Sequence, residues 1–171
     1  MSNDPAGDRT RARAQLDKGK ELYRNDQDDE AVQAFTEALR LDPDLAEAHF
    51  RLGLGYESLG KREEAEAEYK KAVAAYKKYF EEHRDDAEAH YALGQTYANL
   101  GQYSEAIREY REATKLKEPN RFHGYAGAAK AAEKLGDKAK AKANYEKLIA
   151  LAGTESARPE IAAARQYVAS N

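Results

Sequence analysis

Four histidines, several pairs of adjacent acids and a run of lysines are the side chains in this sequence that could do chemistry. The chain has no cysteine, which excludes disulfides, thiolate zinc sites and cysteine nucleophiles. His49 and His90 occupy equivalent places in two similar segments, so they would lie on successive helices roughly 8 to 10 Å apart. That distance is too long for two ligands to share a metal without a third. The sequence therefore predicts packing or surface roles for both histidines, and no enzyme, metal or cofactor.

Three weaker signals also have simple structural explanations. The glycines of "RLGLGYESLG" lack the preceding strand that a phosphate-binding loop requires. The acid pairs at 63–64 and 85–86 lie near expected helix starts, where the helix dipole favours negative charge. A basic run has no interleaved aromatic residues, so we expect a solvated face and no nucleic-acid binding. Its members are Lys130, Lys134, Lys138, Lys140 and Lys142.

The composition is that of a globular chain. Its 171 residues are 35% charged and 42% hydrophobic, with a net charge of -3 that provides no general attraction to nucleic acid or anionic lipid. No apolar run approaches the roughly 18 to 20 residues that span a bilayer. The start of the sequence, "MSNDPAGDRTRARAQ", lacks the apolar stretch of a signal peptide. We expect a cytoplasmic protein that does not bind membranes.

An internal repeat dominates the sequence. The phrase "AEAHFRLGLGYESLG" at 46–60 returns as "AEAHYALGQTYANLG" at 87–101. Its fixed positions predict two amphipathic helices, in which small residues let the backbones approach and aromatic residues fill the remaining space. Neither helix could bury its apolar stripe alone, so neighbouring units must stack. The matching positions are Leu52, Gly53, Tyr56, Gly60, Ala65, Tyr69 and Ala72 with Leu93, Gly94, Tyr97, Gly101, Ala106, Tyr110 and Ala113.

This pattern resembles the tetratricopeptide repeat (TPR), a 34-residue helix-turn-helix unit. The resemblance implies an all-α fold, a right-handed α-solenoid of four helix-turn-helix repeats over residues 12–155. The expected repeats are 12–45, 46–86 with a lengthened second helix, 87–121 and 122–155. A flexible segment is expected before them at 1–11, and a capping helix after them at 156–171.

One spacing departs from the pattern. The second repeat is 41 residues long and the first is 34. The added residues have no glycine or proline, so they are expected to extend the second helix of that repeat by about 10 Å. This longer helix could act as a strut, or Tyr76, Tyr79 and Phe80 could form a contact surface.

The resemblance also implies a concave groove, lined by the first helix of each repeat, that holds a peptide or a partner helix. The groove positions by this analogy are Leu16, Lys20, Phe50, Leu54, Tyr91, Gln95, Asn99 and Lys130. The carboxylate clamp of chaperone-binding members is not expected, because its basic and amide positions hold residues of other types. These residues are Leu16, Lys20, Arg51, Glu88 and Ala92.

Two functions remain open from the sequence. The first is an adaptor whose groove binds a protein or peptide partner with apolar and acidic character. The second is a self-assembling structural scaffold that forms homo-oligomers. The sequence does not identify the partner.

We expect the fold to be independent of metal ions. Treatment with a chelator should leave the helical circular dichroism and the melting curve unchanged, because the sequence lacks cysteine and its histidines are scattered. A shift of the melting temperature by several degrees would contradict this.

Overall fold

The computed structural model describes residues 5–115, 120–153 and 158–171. These ranges contain nine α-helices and no strand. They are α1 (Pro5–Arg24), α2 (Asp28–Leu41), α3 (Ala46–Ser58), α4 (Arg62–Tyr79), α5 (Ala87–Asn99), α6 (Tyr103–Lys115), α7 (Asn120–Leu135), α8 (Lys138–Ala152) and α9 (Pro159–Ser170).

The chain folds as two compact units, Met1–Glu82 (unit 1) and His83–Asn171 (unit 2). In unit 1, α1 packs on α2, α2 on α3 and α3 on α4. In unit 2 the same order runs from α5 to α9, and α5 also contacts α7. The all-α fold of helical repeats that the sequence predicts is confirmed.

The first helix of each pair ends at an equivalent residue in the left-handed conformation. These residues are Gly60, Gly101 and Gly136, with φ of 73°, 71° and 80°, and Asp26, with φ of 58°. At the first of these turns the Gly60 amide donates to the Glu57 carbonyl at 2.9 Å, and the Lys61 amide donates to the Tyr56 carbonyl at 2.8 Å. This pair of bonds is a Schellman motif, which satisfies the last carbonyls of the helix. Glycine is favoured there because it has no Cβ to oppose a positive φ.

Within three of the helix pairs, a glycine on the first helix faces an aromatic ring on the second. The pairs are Gly19 with Phe35, Gly53 with Tyr69 and Gly94 with Tyr110. A Cβ atom on Gly53 would lie 2.5 Å from the Tyr69 ring, and a Cβ atom on Gly94 would lie 2.7 Å from the Tyr110 ring. Real Cβ atoms do not come this close to other atoms, so the glycines are required for the observed helix packing.

The extra residues of the second repeat are divided between a helix and an irregular segment. Helix α4 has 18 residues, whereas α2, α6 and α8 have 14, 13 and 15. It ends at Tyr79, so the prediction that all the added residues extend this helix is wrong. Tyr76 is buried, and its ring stacks on Phe80 with centroids 6.4 Å apart. The contact-surface alternative is therefore wrong for Tyr76.

The predicted flexible segment at 1–11 and the predicted capping helix at 156–171 both include residues that the structure describes as helical. Residues 5–11 form the first turns of α1, so the prediction of a flexible segment is wrong for them. Residues 1–4 and 156–157 lie outside the described residues. Helix α9 packs on α8 and buries Ile161 and Ala164 completely.

A histidine connects the loop that enters α3 to the helix that follows it, and α5 repeats this arrangement. His49 Nδ1 lies 2.7 Å from a Glu68 carboxylate oxygen, and its Nε2 lies 3.0 Å from the Pro43 carbonyl oxygen. His90 makes the same contacts with Glu109 at 2.8 Å and with the Arg84 carbonyl at 3.0 Å. Both partners of each ring only accept hydrogen bonds. The doubly protonated imidazolium is therefore the form that satisfies both of them.

The pKa of His90 reflects this arrangement. Burial lowers it, but the hydrogen bonds to Glu109 and to the Arg84 carbonyl, together with the charges of Glu109 and Glu112, raise it overall above the usual value. For Glu68, burial raises the pKa, while hydrogen bonds from His49 and Lys71 outweigh that effect and lower it overall. The raised pKa of His90 and the lowered pKa of Glu68 mean that the charged form of each of these two side chains stabilises the fold.

The glycine contacts lead to a double-mutant prediction. Gly19→Ala should destabilise the protein by about 1–3 kcal/mol, because the new Cβ meets the Phe35 ring. In a Phe35→Leu background the same change should cost less, since the ring is gone. Chemical denaturation of the four proteins measures this coupling. Lys18→Ala, at an exposed neighbouring position, is the control. A stabilising effect of Gly19→Ala, which is usual for an unhindered helix position, would rule out the close approach.

The histidine contacts lead to a prediction about pH. Because its folded-state pKa is raised, His90 contributes its full stabilisation below the unfolded pKa and loses it as pH rises through the folded pKa. The free energy of unfolding should therefore fall between about pH 6 and pH 8. His90→Gln should cost about 1–3 kcal/mol at the lower pH and less at the higher one.

Urea unfolding at both pH values measures this difference. Gln102→Ala, which changes an exposed residue that does not titrate, should keep the wild-type pH dependence. An identical pH dependence for His90→Gln and the wild type would show that His90 does not hold a proton in this contact.

Candidate functional site

A cavity of about 390 Å³ opens in unit 2, bordered by α5, α6, α7 and the first turn of α9. It has both apolar and charged walls, and its lining includes three of the residues that sequence reasoning placed in a groove. These are Tyr91 and Gln95 on α5 and Lys130 on α7.

The floor of the cavity is the Tyr110 ring of α6. This ring lies against Gly94 of α5, and a Cβ atom on Gly127 of α7 would also lie 2.7 Å from it. Two helices thus approach the same ring through glycines. Gly124, one turn earlier on α7, approaches α6 in a similar way, since its Cβ would lie 2.8 Å from the Tyr110 carbonyl oxygen.

An aromatic wall stands where α5 faces the start of α7. The Tyr91 ring lies 5.6 Å from the Tyr110 ring and 5.8 Å from the His123 ring, measured between centroids. Phe122 meets His123 edge to face at 5.7 Å, and the Arg158 guanidinium lies 4.7 Å from the centre of the Phe122 ring. Such contacts between rings, and between a cation and a ring, fix the orientations of these side chains.

The cavity has a charged wall with opposite signs at its two ends. His123, Gly127, Lys130 and Lys134 follow one another at helical spacing, so they share one face of α7. Neither lysine has an acidic partner within 4 Å in the described part of the chain. Glu160 belongs to the other end, because Arg158, two residues before it, covers Phe122 at the start of α7.

Burial favours the protonated form of two tyrosines of the cavity, Tyr91 and Tyr110. It raises the pKa of Tyr91 above its usual value, and it raises the pKa of Tyr110 further, with a smaller contribution from Tyr91. Gln95 Nε2 lies 3.4 Å from the Tyr91 hydroxyl oxygen, to which it donates. The cavity therefore offers neutral hydroxyl groups and an amide beside two lysines.

The structure does not bring the other predicted groove residues to this cavity. Leu16 and Phe50 are 4% and 2% exposed, so the prediction that they face a groove is wrong. Phe50 packs on Tyr69, with ring centroids 6.1 Å apart, because the helices of that pair lie close together. Asn99 is exposed but does not line the cavity, and Leu54 is half-buried in unit 1.

Lys20, also in unit 1, forms ion pairs with acidic neighbours. Its Nζ lies 3.0 Å from Asp17 and 3.3 Å from Glu47. Burial lowers the pKa of Lys20, but these carboxylates raise it overall.

Sequence reasoning missed several residues of the cavity. They are Ala98, Tyr103, Tyr110, Phe122, His123, Lys134 and Glu160. The spacing of His123, Gly127, Lys130 and Lys134 on one helical face was a usable signal. No sequence signal of this kind indicated that Glu160 of α9 would line the cavity, because its position depends on how the last helix packs on the others.

Within the described ranges, no group of three or more His, Cys, Asp or Glu side chains could hold a metal ion. In the same ranges, no helix has the length and apolar character needed to cross a membrane.

Solved structures with the same fold include TPR proteins. A Pseudomonas aeruginosa pilF structure is 22% identical, with a TM-score of 0.69, over 96% of this chain and 78% of that one. A Podosopora anserina putative kinesin light chain with TPR-like repeats is 20% identical, with a TM-score of 0.70, over 99% and 87%. The first TPR of Spaghetti (RPAP3), bound to the HSP90 peptide SRMEEVD, is 24% identical, with a TM-score of 0.53, over 75% and 95%. These likenesses establish the predicted solenoid fold.

Family models match most of the chain. Models described as tetratricopeptide repeat match residues 44–118 and 122–154, and one described as TPR repeat matches residues 19–60. No curated protein matches the sequence. With its helix pairs, its glycine-aromatic contacts and these matches in agreement, the chain belongs to the tetratricopeptide repeat family.

Proposed function

We propose that this protein is a protein-interaction module that binds a partner peptide in the cavity of unit 2. One observation carries the proposal: a single open cavity is lined by aromatic rings, amide and hydroxyl groups and two lysines. Apolar walls with a few polar groups are typical of ligand sites. The ligand we infer is a segment with apolar and acidic side chains.

The two units differ in what they offer a ligand. In unit 1 the position equivalent to Lys130 is Lys20, whose charge is already paired with Asp17 and Glu47. The position equivalent to Tyr91 is Phe50, which is buried. The contrast supports binding in unit 2.

One solved relative supports a peptide as the type of ligand. The TPR of Spaghetti is described with an HSP90 peptide bound, and this chain shares its fold. The chaperone-tail clamp is not part of our proposal, because Glu88 and Ala92 stand where two of its cationic groups would be needed. The proposed partner is therefore a different acidic peptide, recognised by the cavity of unit 2.

The proposal can be tested by selecting peptides from a random displayed library on the wild-type protein. Binding in the micromolar range is expected, which corresponds to about -8 kcal/mol. Gln95→Ala combined with Lys130→Ala should weaken a selected peptide about tenfold or more, because both side chains line the cavity. Isothermal titration calorimetry measures the change.

The matched control carries Leu54→Ala and Lys20→Ala, which change the equivalent positions of unit 1. It should bind the same peptide as the wild type does. Circular dichroism shows whether both variants are folded. If the selection yields no binder, or if binders are equally affected by both variants, the cavity of unit 2 is not the peptide site.

A further inference from the structure

The tyrosine hydroxyl on the floor of the cavity lacks the partner that its counterparts have. In the second helix pair the Tyr69 hydroxyl donates to the Glu57 carboxylate at 2.7 Å. In the last pair the Tyr145 hydroxyl donates to the Glu133 carboxylate. In both cases the glutamate precedes the tyrosine by 12 residues, in the last turns of the first helix.

In the third pair, an alanine stands where these glutamates would be. Twelve residues before Tyr110 is Ala98, and both residues line the cavity. The Tyr110 hydroxyl makes no hydrogen bond among the residues that the structure describes. No side-chain polar atom of those residues is both fully buried and without a partner, so this hydroxyl is accessible to solvent from the cavity. An acceptor on a ligand could therefore replace solvent at this hydroxyl and receive its hydrogen bond.

We propose that a ligand carboxylate occupies the place of the missing glutamate and accepts a hydrogen bond from the Tyr110 hydroxyl. The proposal rests on the proposed function and names the chemistry of its key contact: an aspartate or glutamate side chain of the bound peptide. The same fold shows twice that a carboxylate at this place can accept from the equivalent hydroxyl, at Glu57 from Tyr69 and at Glu133 from Tyr145.

The charges around Ala98 favour an anion over a neutral acceptor. Lys134 lies near the end of α7 and Lys130 one turn before it, and both line the cavity with Ala98. Each lacks an acidic partner within 4 Å among the described residues. The acidic group in the lining, Glu160, belongs to the end near Phe122. A peptide carboxylate would therefore bind at the Ala98 end, and an apolar side chain would face the aromatic wall.

The proposal predicts that Ala98→Glu restores the missing contact from within the chain. The new carboxylate should bond to Tyr110 as Glu57 does to Tyr69, so the melting temperature should rise. The same carboxylate should exclude the carboxylate of a ligand. In an Ala98→Glu, Tyr110→Phe protein the gain in melting temperature should be lost, because the ring has no hydroxyl to donate.

The binding probe is a fluorescent peptide of three Gly-Leu-Ser-Glu repeats, compared with the same peptide carrying Gln in place of every Glu. The wild type should bind the Glu peptide about tenfold or more tightly than the Gln peptide, a difference of about 1.4 kcal/mol. Ala98→Glu and Tyr110→Phe should each abolish this preference. Gln102→Glu, which adds a negative charge on an exposed residue outside the cavity, should keep it.

The outcomes separate this inference from the proposed function. If the wild type binds the two peptides equally, or if Tyr110→Phe keeps the preference for Glu, the inference is wrong and binding in the cavity stands. A melting temperature that Ala98→Glu leaves unchanged or lowers would also contradict it. If neither peptide binds, the inference is wrong, and the displayed-library selection decides separately whether the cavity binds peptides at all.

Discussion

The close contact between a glycine on one helix and an aromatic ring on the next determines how this chain packs. Gly53 and Gly94 have no side chain, so the rings of Tyr69 and Tyr110 lie directly against the helix backbone. A methyl group at either place would force the helices apart, because protein interiors have no spare volume. The left-handed residue at the end of each first helix turns the chain back toward this contact. The packing within a pair and the turn that permits it therefore occur together, and the combination recurs along the chain.

The cavity of unit 2 arises from a variation on the same contact. Tyr110 is approached by Gly94 and also by Gly127 of the following pair, so α7 lies close over the ring that α5 and α6 already share. In two other helix pairs the corresponding tyrosine hydroxyl donates to a glutamate of its own pair, Tyr69 to Glu57 and Tyr145 to Glu133. Ala98 removes that glutamate and leaves space above the ring. The tyrosine hydroxyl that makes a structural contact in two repeats thus faces an open cavity in a third.

Two histidines connect these pairs to the loops that precede them. His49 and His90 each bridge a backbone carbonyl of the entering loop and a glutamate of the second helix. The pair next to the cavity depends on His90, whose neighbour Tyr91 forms part of the aromatic wall. Their contacts with the loop agree with the packing role, one of the two roles that the sequence predicts for these histidines.

The sequence by itself determined the repeat, the helix pairs and the small and aromatic positions between them, because Gly53, Tyr69 and their counterparts recur at fixed spacing and act locally. It also placed Tyr91, Gln95 and Lys130 on related helix positions. It could not distinguish those residues from Leu16 and Phe50, which occupy equivalent positions but are buried. Exposure depends on which neighbouring helix covers a position, and that is decided by contacts between elements far apart in the chain. The tertiary structure alone decided that α7 and α9 border the cavity. It also decided that the Tyr110 hydroxyl has no hydrogen-bond partner among the described residues, because both facts depend on where separate helices meet.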